Sequence, residues 1–473
     1  KVLAGLSVLV LCGGMAEAAD YTWYVDQNAT GAGDGSTWEN ATTTIQGAID
    51  AASSWLSTNH GGRRDNMDDG DSIYIVVREG TYVESVRPGA DLTSNDNPRL
   101  RGSATSAPLY IQSEFWDTTG NTNTVVQAPD NEQNCFLIRC IDWPATMGNW
   151  TVRGFTMRTD MSTATANWRN GLLDYAGSGT VENNIIEVVN TTDSTLRWYG
   201  IGSAADLVIT DNVIRKLGSG VNSPIGLQFG SNNEIYNNLI TVSNQGTSGN
   251  AASVMNAGAN ADNNEIYQNI VMGSPTYGAD RVLAFPEYWL AGDSDNNEVY
   301  ANIFAHGGRM LDMGNVTSNT NDSNAFYNNT FYSGGYIHSY GTNDTFFNNL
   351  IAGTFPWGGG VYFDGFDHTV ALGYDDYLDA LGNYIRAPSD TTFVNTDLPS
   401  NWYDLLPSEF GGSWLMVNPW ISSSIAGLDG YTRPGADVYG QQYFKIGAVI
   451  PEPASGALLL LGAAALFNRR RRR

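Results

Sequence analysis

Residues 262–273 read DNNEIYQNIVMG. Asp262, Asn263, Asn264 and Glu265 crowd together as the oxygen ligands of a metal loop do. Near copies recur as SNNEIYNNLITV from Ser231 and DSDNNEVYANIFA from Asp293. A returning unit is either a repeated site or a scaffold, and its spacing decides between them.

Aligning the asparagine-containing segments gives GFTM, NNII, DNVI, NNLI, QNIV, ANIF, NNTF and NNLI. The shared position runs Gly154, Asn184, Asn212, Asn238, Asn269, Asn302, Asn329 and Asn349, at intervals of 30, 28, 26, 31, 33, 27 and 20. A mean period of about 28 falls in the range of stacked architectures. Each unit follows the rule apolar-x-x-Asn-x-apolar: two short strands about a tight corner, with asparagine tolerated where the backbone turns left-handed. A further strand precedes each corner by about eleven residues, at Leu173, Ile201, Leu227, Met255, Leu283 and Leu311. Three short strands per turn describe an all-β parallel β-helix. No unit carries the 3.6-residue apolar period of a helical solenoid. Equivalent asparagines then stack about 4.8 Å apart as a ladder. On this reading Ile266 packs inward, Asn269 joins the ladder, and Asp262 to Glu265 shape the approach to the corner.

The segment TTTIQGAIDAASSWL places Ile45, Ala48, Ile49 and Ala52 on one helical face, as a plug over an open solenoid end requires. YVDQNATGAGDGSTWENA before it, GDSIYIVVREGTYVESV after it and GLDGYTRPGADVYG…KIGA near the far end resemble exported bacterial right-handed β-helix proteins of the pectate-lyase-like superfamily. The resemblance covers most of residues 21–448. It implies a right-handed parallel β-helix and export, and it leaves the reaction open, since the superfamily holds lyases, hydrolases, epimerases and non-enzymatic surface proteins.

The termini add targeting expectations. KVLAGLSVLVLCGGMAEAAD reads as a secretory signal peptide ending in Ala16-Glu17-Ala18. IPEPASGALLLLGAAALFNRRRRR resembles a PEP-CTERM sorting tail, with Pro451, Glu452 and Pro453, an apolar run and Arg469 to Arg473. The resemblance implies removal by an exosortase-type enzyme, with the tail a transient inner-membrane anchor. The boundaries follow: signal peptide 1–18, N-terminal cap 19–62, β-helix 63–375, C-terminal cap 376–448, sorting tail 449–473.

The net charge is −25. Without both ends, 18 basic and 47 acidic residues remain, a charge of −29. Such acidity argues against nucleic acid as a partner, and an acidic glycan would need a local arginine cluster or a bridging cation. Cys135 and Cys140, five positions apart, are too far apart for a disulfide if they share one strand and then read as buried free thiols, unless a turn intervenes. DQNATG from Asp26 lacks the closing glutamate of a calcium loop. His60, His338 and His368 hold no metal-ligand spacing. No cofactor is evident, and calcium stays open.

In enzymes of the resembled superfamily the substrate groove follows the outer face of the first strand of each coil. Its outward row should be Asp174, Gly202, Gln228, Asn256, Ala284 and Asp312. The two acids stand five coils apart, roughly 24 Å, whereas a glycosidase pair needs about 5–9.5 Å. GHG and RIK motifs are absent, and the lone NTD, Asn395 to Asp397, lies beyond the coils. A β-eliminating lyase needs a neutral base and a cation for the uronate carboxylate. The body offers only Lys216 and Lys445 as lysines, which leaves arginine. Arg281 and Arg309 share one offset on adjacent coils, with Glu287, Tyr288, Trp289 and His306 between them and Asp312 beyond. This set is the candidate glycan-binding site. Arg169 and Arg197, flanked by Trp168 and Trp198, form a second pair. Two functions compete: a non-catalytic surface protein that binds or organises extracellular polysaccharide, and a polysaccharide lyase on uronate-containing polymers.

Overall fold

The computed structural model describes residues 18–363 and two short strands at 377–378 and 384–385. Outside the described residues lie 1–17, 90–99, 118–122, 139–146, 162–167, 175–176, 190–196, 218–223, 243–252, 259, 274–280, 286–293, 306–308, 314–322, 328, 333–335, 340–344, 348–349, 353–360, 364–376, 379–383 and 386–473.

Each coil contributes three strands. Glu234–Tyr236, Leu239–Thr241 and Ser253–Ala257 make one coil. Glu265–Tyr267, Ile270–Met272 and Arg281–Phe285 make the next. They pair in parallel, with Ile235 opposite Ile266, Ile240 opposite Val271 and Met255 opposite Leu283. Continued along the chain, this builds three sheets of 11, 12 and 9 strands, taken below in that order as the first, second and third. The fold is a parallel β-helix.

A three-residue strand turns only its middle side chain inward. In the first sheet those positions are Ile235, Ile266, Val299 and Phe326, all fully buried. Each contributes about 1.5–3 kcal/mol through burial, so stability accumulates coil by coil. Phe285 bridges the third sheet to the first, packing against Phe229 at 5.6 Å and Phe326 at 6.3 Å between ring centroids.

The asparagine ladder stands at the corner between the first and second sheets. Asn184, Asn212, Asn238, Asn269, Asn302 and Asn329 are buried, and each of the first five donates its side-chain amide to the next coil's Oδ1 at 3.0–3.1 Å. The main-chain N–H of each of those five donates to the same oxygen. The ladder begins one residue later than Gly154, at Phe155, whose N–H donates to Asn184 Oδ1 at 3.0 Å. The left-handed residue is not the ladder asparagine but its predecessor: Gly154 (φ 78), Asn183 (54), Asp211 (55), Asn237 (55), Gln268 (56) and Ala301 (55). A Cβ on Gly154 would stand 2.6 Å from Trp116 Cβ, which is why glycine occupies this one corner.

A second ladder, absent from the sequence reading, stands at the corner between the third and first sheets. Asn233 donates to Asn264, Asn264 to Asn297 and Asn297 to Asn324, at 2.8–2.9 Å. Asn232, Asn263, Asn296 and Ser323 precede them with φ of 56–62°. Asn264 of the opening stretch is therefore a ladder rung. Asp262 Oδ1 accepts from the main-chain N–H of Asp295 in the next coil at 2.9 Å, so that carboxylate also stitches coil to coil.

The N-terminal helix forms where the apolar spacing placed it, at Ile45–His60, with Ile45, Ala48, Ile49, Ala52 and Leu56 fully buried over the solenoid end. Thr44 caps it by accepting from Gly47 N–H at 3.0 Å, and both oxygens of Glu84 accept from Ile45 and Gln46 at 2.9 Å. A carboxylate at this end opposes the positive pole of the helix dipole. Gly61, at φ 61, ends the helix.

Asp65 fastens the following turn. Partial burial pushes its carboxyl up, but the Ser106 hydroxyl, the Ser103 N–H and hydroxyl, and Arg63 outweigh that and hold it well below its ordinary value of 3.8. A depressed folded value stabilises the fold above the unfolded value and loses that contribution as pH falls toward the folded one. The melting temperature should therefore drop between about pH 4 and pH 2. Asp65→Asn should flatten that part of the profile in a pH series of thermal melts, and an unchanged slope would remove Asp65 from the account.

Cys135 is buried and free, and burial pushes its thiol up to about 11. Cys140 lies outside the described residues. Asp26 of DQNATG accepts from Asn28 N–H and pairs with Arg78, both at 2.8 Å, which makes the segment an ion-paired turn.

Candidate functional site

The third sheet turns two outward rows away from the core. A Cβ built on Gly200 or Gly226 would strike the core methyls of Ile214 and Ile240, whereas one on Gly202 would meet Leu173 and Asn170 Oδ1 on the outer side. One row passes through Ser253, Arg281 and Arg309, and the other through Gln228, Asn256, Ala284 and Asp312, with Gly202 before it across a register shift. The residue opposite Gly202 on the preceding coil is Leu173, and not Asp174. Among its described residues Asp312 is thus the one acid, and a two-carboxylate mechanism finds no pair in it.

Of the candidate set, the structure brings Arg281, Arg309 and Asp312 together. Arg281 reaches across one coil, with Nε 3.2 Å from Asp312 Oδ2, and Arg309 Nη1 donates to the same oxygen at 2.5 Å. The Asp312 side chain is 8% exposed, Arg281 13% and Arg309 34%. Among the described residues, two guanidiniums thus meet at one carboxylate on a strongly acidic chain. Glu287, Tyr288, Trp289 and His306 lie outside the described residues.

A related clamp occurs on the second sheet, where Arg158 and Arg215, from the coils on either side, hold the fully buried Glu187. Such a clamp is therefore first a staple between coils. Asn256 distinguishes the third sheet. Its side chain is fully buried, and neither Oδ1 nor Nδ2 has a hydrogen-bond partner. It stands two strands from Asp312, separated by the small Ala284. Sequence reading placed Asn256 in the outward row; only packing reveals that its amide is unmatched.

The second arginine pair does not survive. Arg169 lies opposite Trp198, and Arg197 opposite Trp168, so the two arginines are offset by one residue. Arg169 is buried and donates to the carbonyls of Asp130, Ala128 and Pro129 at 2.8–3.0 Å. It holds a turn.

The outer face of the first sheet carries Tyr236, Tyr267 and Tyr300, stacked at 4.9 and 5.0 Å with interplanar angles of 3° and 4°. Glu234, Glu265 and Glu298 run in register beside them. Sugar stacking needs an open ring face, and these rings cover one another. Among the described residues no group of three or more His, Cys, Asp or Glu could hold a metal ion.

No protein family model and no curated protein matches the chain. Among solved structures, pectate lyase Pel9A is similar at 14% identity, covering 92% of this chain and 96% of that one, with a TM-score of 0.47. An alginate lyase from Paenibacillus sp. str. FPU-7 shares 15% identity over 67% of this chain and 96% of its own, at 0.33. A pectin methylesterase from Aspergillus niger shares 10% over 76% and 94%, at 0.36. Likenesses this distant say nothing about chemistry.

Proposed function

We propose that this chain is an exported surface protein that binds acidic extracellular polysaccharide on the outer face of its third sheet, without catalysis there. The observation that carries the reading is the convergence of Arg281 and Arg309 on Asp312, two guanidiniums gathered at one point on an outward face of an acidic solenoid. Sorting by the PEP-CTERM-like tail, with an exosortase-type enzyme as partner and transient membrane anchorage, belongs to the same proposal and rests on residues 449–473. The lyase alternative is less favoured. An arginine that donates to Asp312 carries the very proton that a base would have to lack.

The test is affinity electrophoresis against polygalacturonate, alginate and neutral dextran, with and without calcium, while absorbance reports any unsaturated uronate. Retention by the acidic polymers, weakened by salt, is expected without product. Arg309→Ala should weaken it about tenfold. Formation of unsaturated uronate would overturn the non-catalytic reading, and equal retention by dextran would overturn the role of charge.

A further inference from the structure

We propose that Asn28 is an N-glycosylation acceptor, taking a sugar chain from a polyprenyl-pyrophosphate donor. This rests on the export proposed above and is independent of the glycan-binding face. The sequence that such a transfer reads is an asparagine followed two places on by serine or threonine, with any residue but proline between. Among the described residues Asn28-Ala29-Thr30, Asn40-Ala41-Thr42 and Asn149-Trp150-Thr151 meet it. The triplets opening at Asn190, Asn315, Asn321, Asn328 and Asn343 place their asparagine outside those residues.

The fold separates the three. Asn149 is tied down at every polar group: its Nδ2 donates to Ser106 O at 2.6 Å, its N–H to Ser178 O at 2.8 Å, and its carbonyl accepts from Arg64 at 3.0 Å. Thr151 sits in a strand paired on both sides, with Tyr110 and Thr180. A sugar on that amide would displace the bond to Ser106. At the second triplet Asn40 Oδ1 accepts from Ala32 N–H at 3.0 Å, and Thr42 is buried with its hydroxyl donating inward to Thr44 O at 3.0 Å. An enzyme cannot reach that hydroxyl in the folded chain. Asn28 and Thr30 are both exposed, and neither side chain makes a hydrogen bond among the described residues. The turn that presents them is firm, because Asp26 accepts from Asn28 N–H through Oδ1 at 2.8 Å and from Ala29 N–H through its carbonyl at 3.0 Å. Arg78 holds the other oxygen of Asp26 at 2.8 Å. A bulky, solvated modification fits such a surface turn and neither of the other two places.

The donor is an oligosaccharide linked through its anomeric carbon to polyprenyl pyrophosphate, and the catalyst is a separate oligosaccharyltransferase. Asn28 Nδ2 attacks that anomeric carbon. A carbon–nitrogen bond forms, the carbon–oxygen bond to the pyrophosphate breaks, and the pyrophosphate leaves with the electron pair. Nδ2 gives one proton to a base of the transferase. Nothing is oxidised or reduced.

The experiment maps peptide masses and sugar fragment ions on the full chain from the exported and cytoplasmic fractions of the cell that makes it. Asn28→Gln, Thr30→Val and Thr30→Ser are expressed in the same cell. The exported chain should carry sugar on Asn28 and none on Asn40 or Asn149. Asn28→Gln and Thr30→Val should lose it completely and Thr30→Ser should keep it. All three should still fold and be exported, since the replaced side chains are exposed and hold no bond of the fold. An exported chain with a bare Asn28 overturns this inference while export stands. Sugar retained by Thr30→Val overturns it as well, because the hydroxyl would then not be read. Equal occupancy at Asn28, Asn40 and Asn149 would show that exposure does not select the site, with the same consequence. A chain confined to the cytoplasm overturns export and this inference together.

Discussion

Asn269→Leu is expected to destabilise the β-helix by about 4 kcal/mol or more, the largest effect of any single ladder change. The side chain is fully buried and occupies the middle of the longer ladder. Its Oδ1 accepts from both the main chain and the side chain of Asn238 at 3.0 Å. Its Nδ2 reaches Ile235 O, Tyr267 O and Asn302 Oδ1 at 2.8–3.0 Å. Leucine has a similar volume and no polar atoms, so donors and acceptors on three coils would lose their partner at once. Each buried polar group left unmatched costs about 1–3 kcal/mol. Asn269→Asp separates shape from donation: its carboxylate can still accept from Asn238 but faces two carbonyls with no hydrogen to offer. Urea unfolding measures both, and a loss below about 1 kcal/mol for leucine would mean that the ladder reports the fold without supporting it.

Arg64→Met should cost nearly as much, about 3–4 kcal/mol, just after the N-terminal helix. Arg64 is fully buried and donates to the carbonyls of Leu100 (3.1 Å), Gly148 (2.5 Å), Asn149 (3.0 Å) and Ala107. It joins segments as far as 85 positions apart in the chain. Burial lowers its pKa to about 10 despite the favourable charge of Asp65, so the guanidinium remains charged at neutral pH. One planar fork meets four acceptors, which an ammonium cannot do from a single point. Arg64→Lys should therefore restore less than half of the loss in the same urea titration. Full rescue by lysine would show that charge alone matters there.

The coil architecture was legible because one asparagine recurs inside a fixed apolar frame, and only stacked strands give that recurrence a physical use. Asn264 escaped because its acidic neighbours Asp262 and Glu265 suggested metal ligation, when the signal was the NNE triplet returning at Asn232, Asn263 and Asn296. Phe155 escaped because the ladder's first position needs only an N–H donor, which any residue but proline supplies. The register of the third sheet was read one residue out at Leu173. Leu172 and Leu173 give the same apolar signal in succession, and it is Leu172 that pairs with Ile201. The same offset undid the Arg169–Arg197 pair. At the candidate site, the equal offsets of Arg281 and Arg309 were visible in the sequence. Their shared grip on Asp312 and the unmatched amide of Asn256 depend on side-chain reach and packing, which residue spacing does not encode.

Every asparagine-to-asparagine bond of the longer ladder runs in one direction, from a given coil to the one after it, while the same amide donates back to a main-chain carbonyl of the coil before, as Asn269 does to Ile235. A coil thus needs from its neighbours only an asparagine oxygen on one side and, on the other, an asparagine N–H and a main-chain carbonyl, which any residue supplies. Removing the segment from Leu239 to Asn269 would bring Ile270 to follow Asn238 and still present a complete rung to Asn302. Length in such a chain can change only by whole coils, and any one coil can be lost or copied without redesigning the rest. The extent of the outer face, and with it the length of polymer it could span, is therefore a quantity that gene duplication can adjust in single steps.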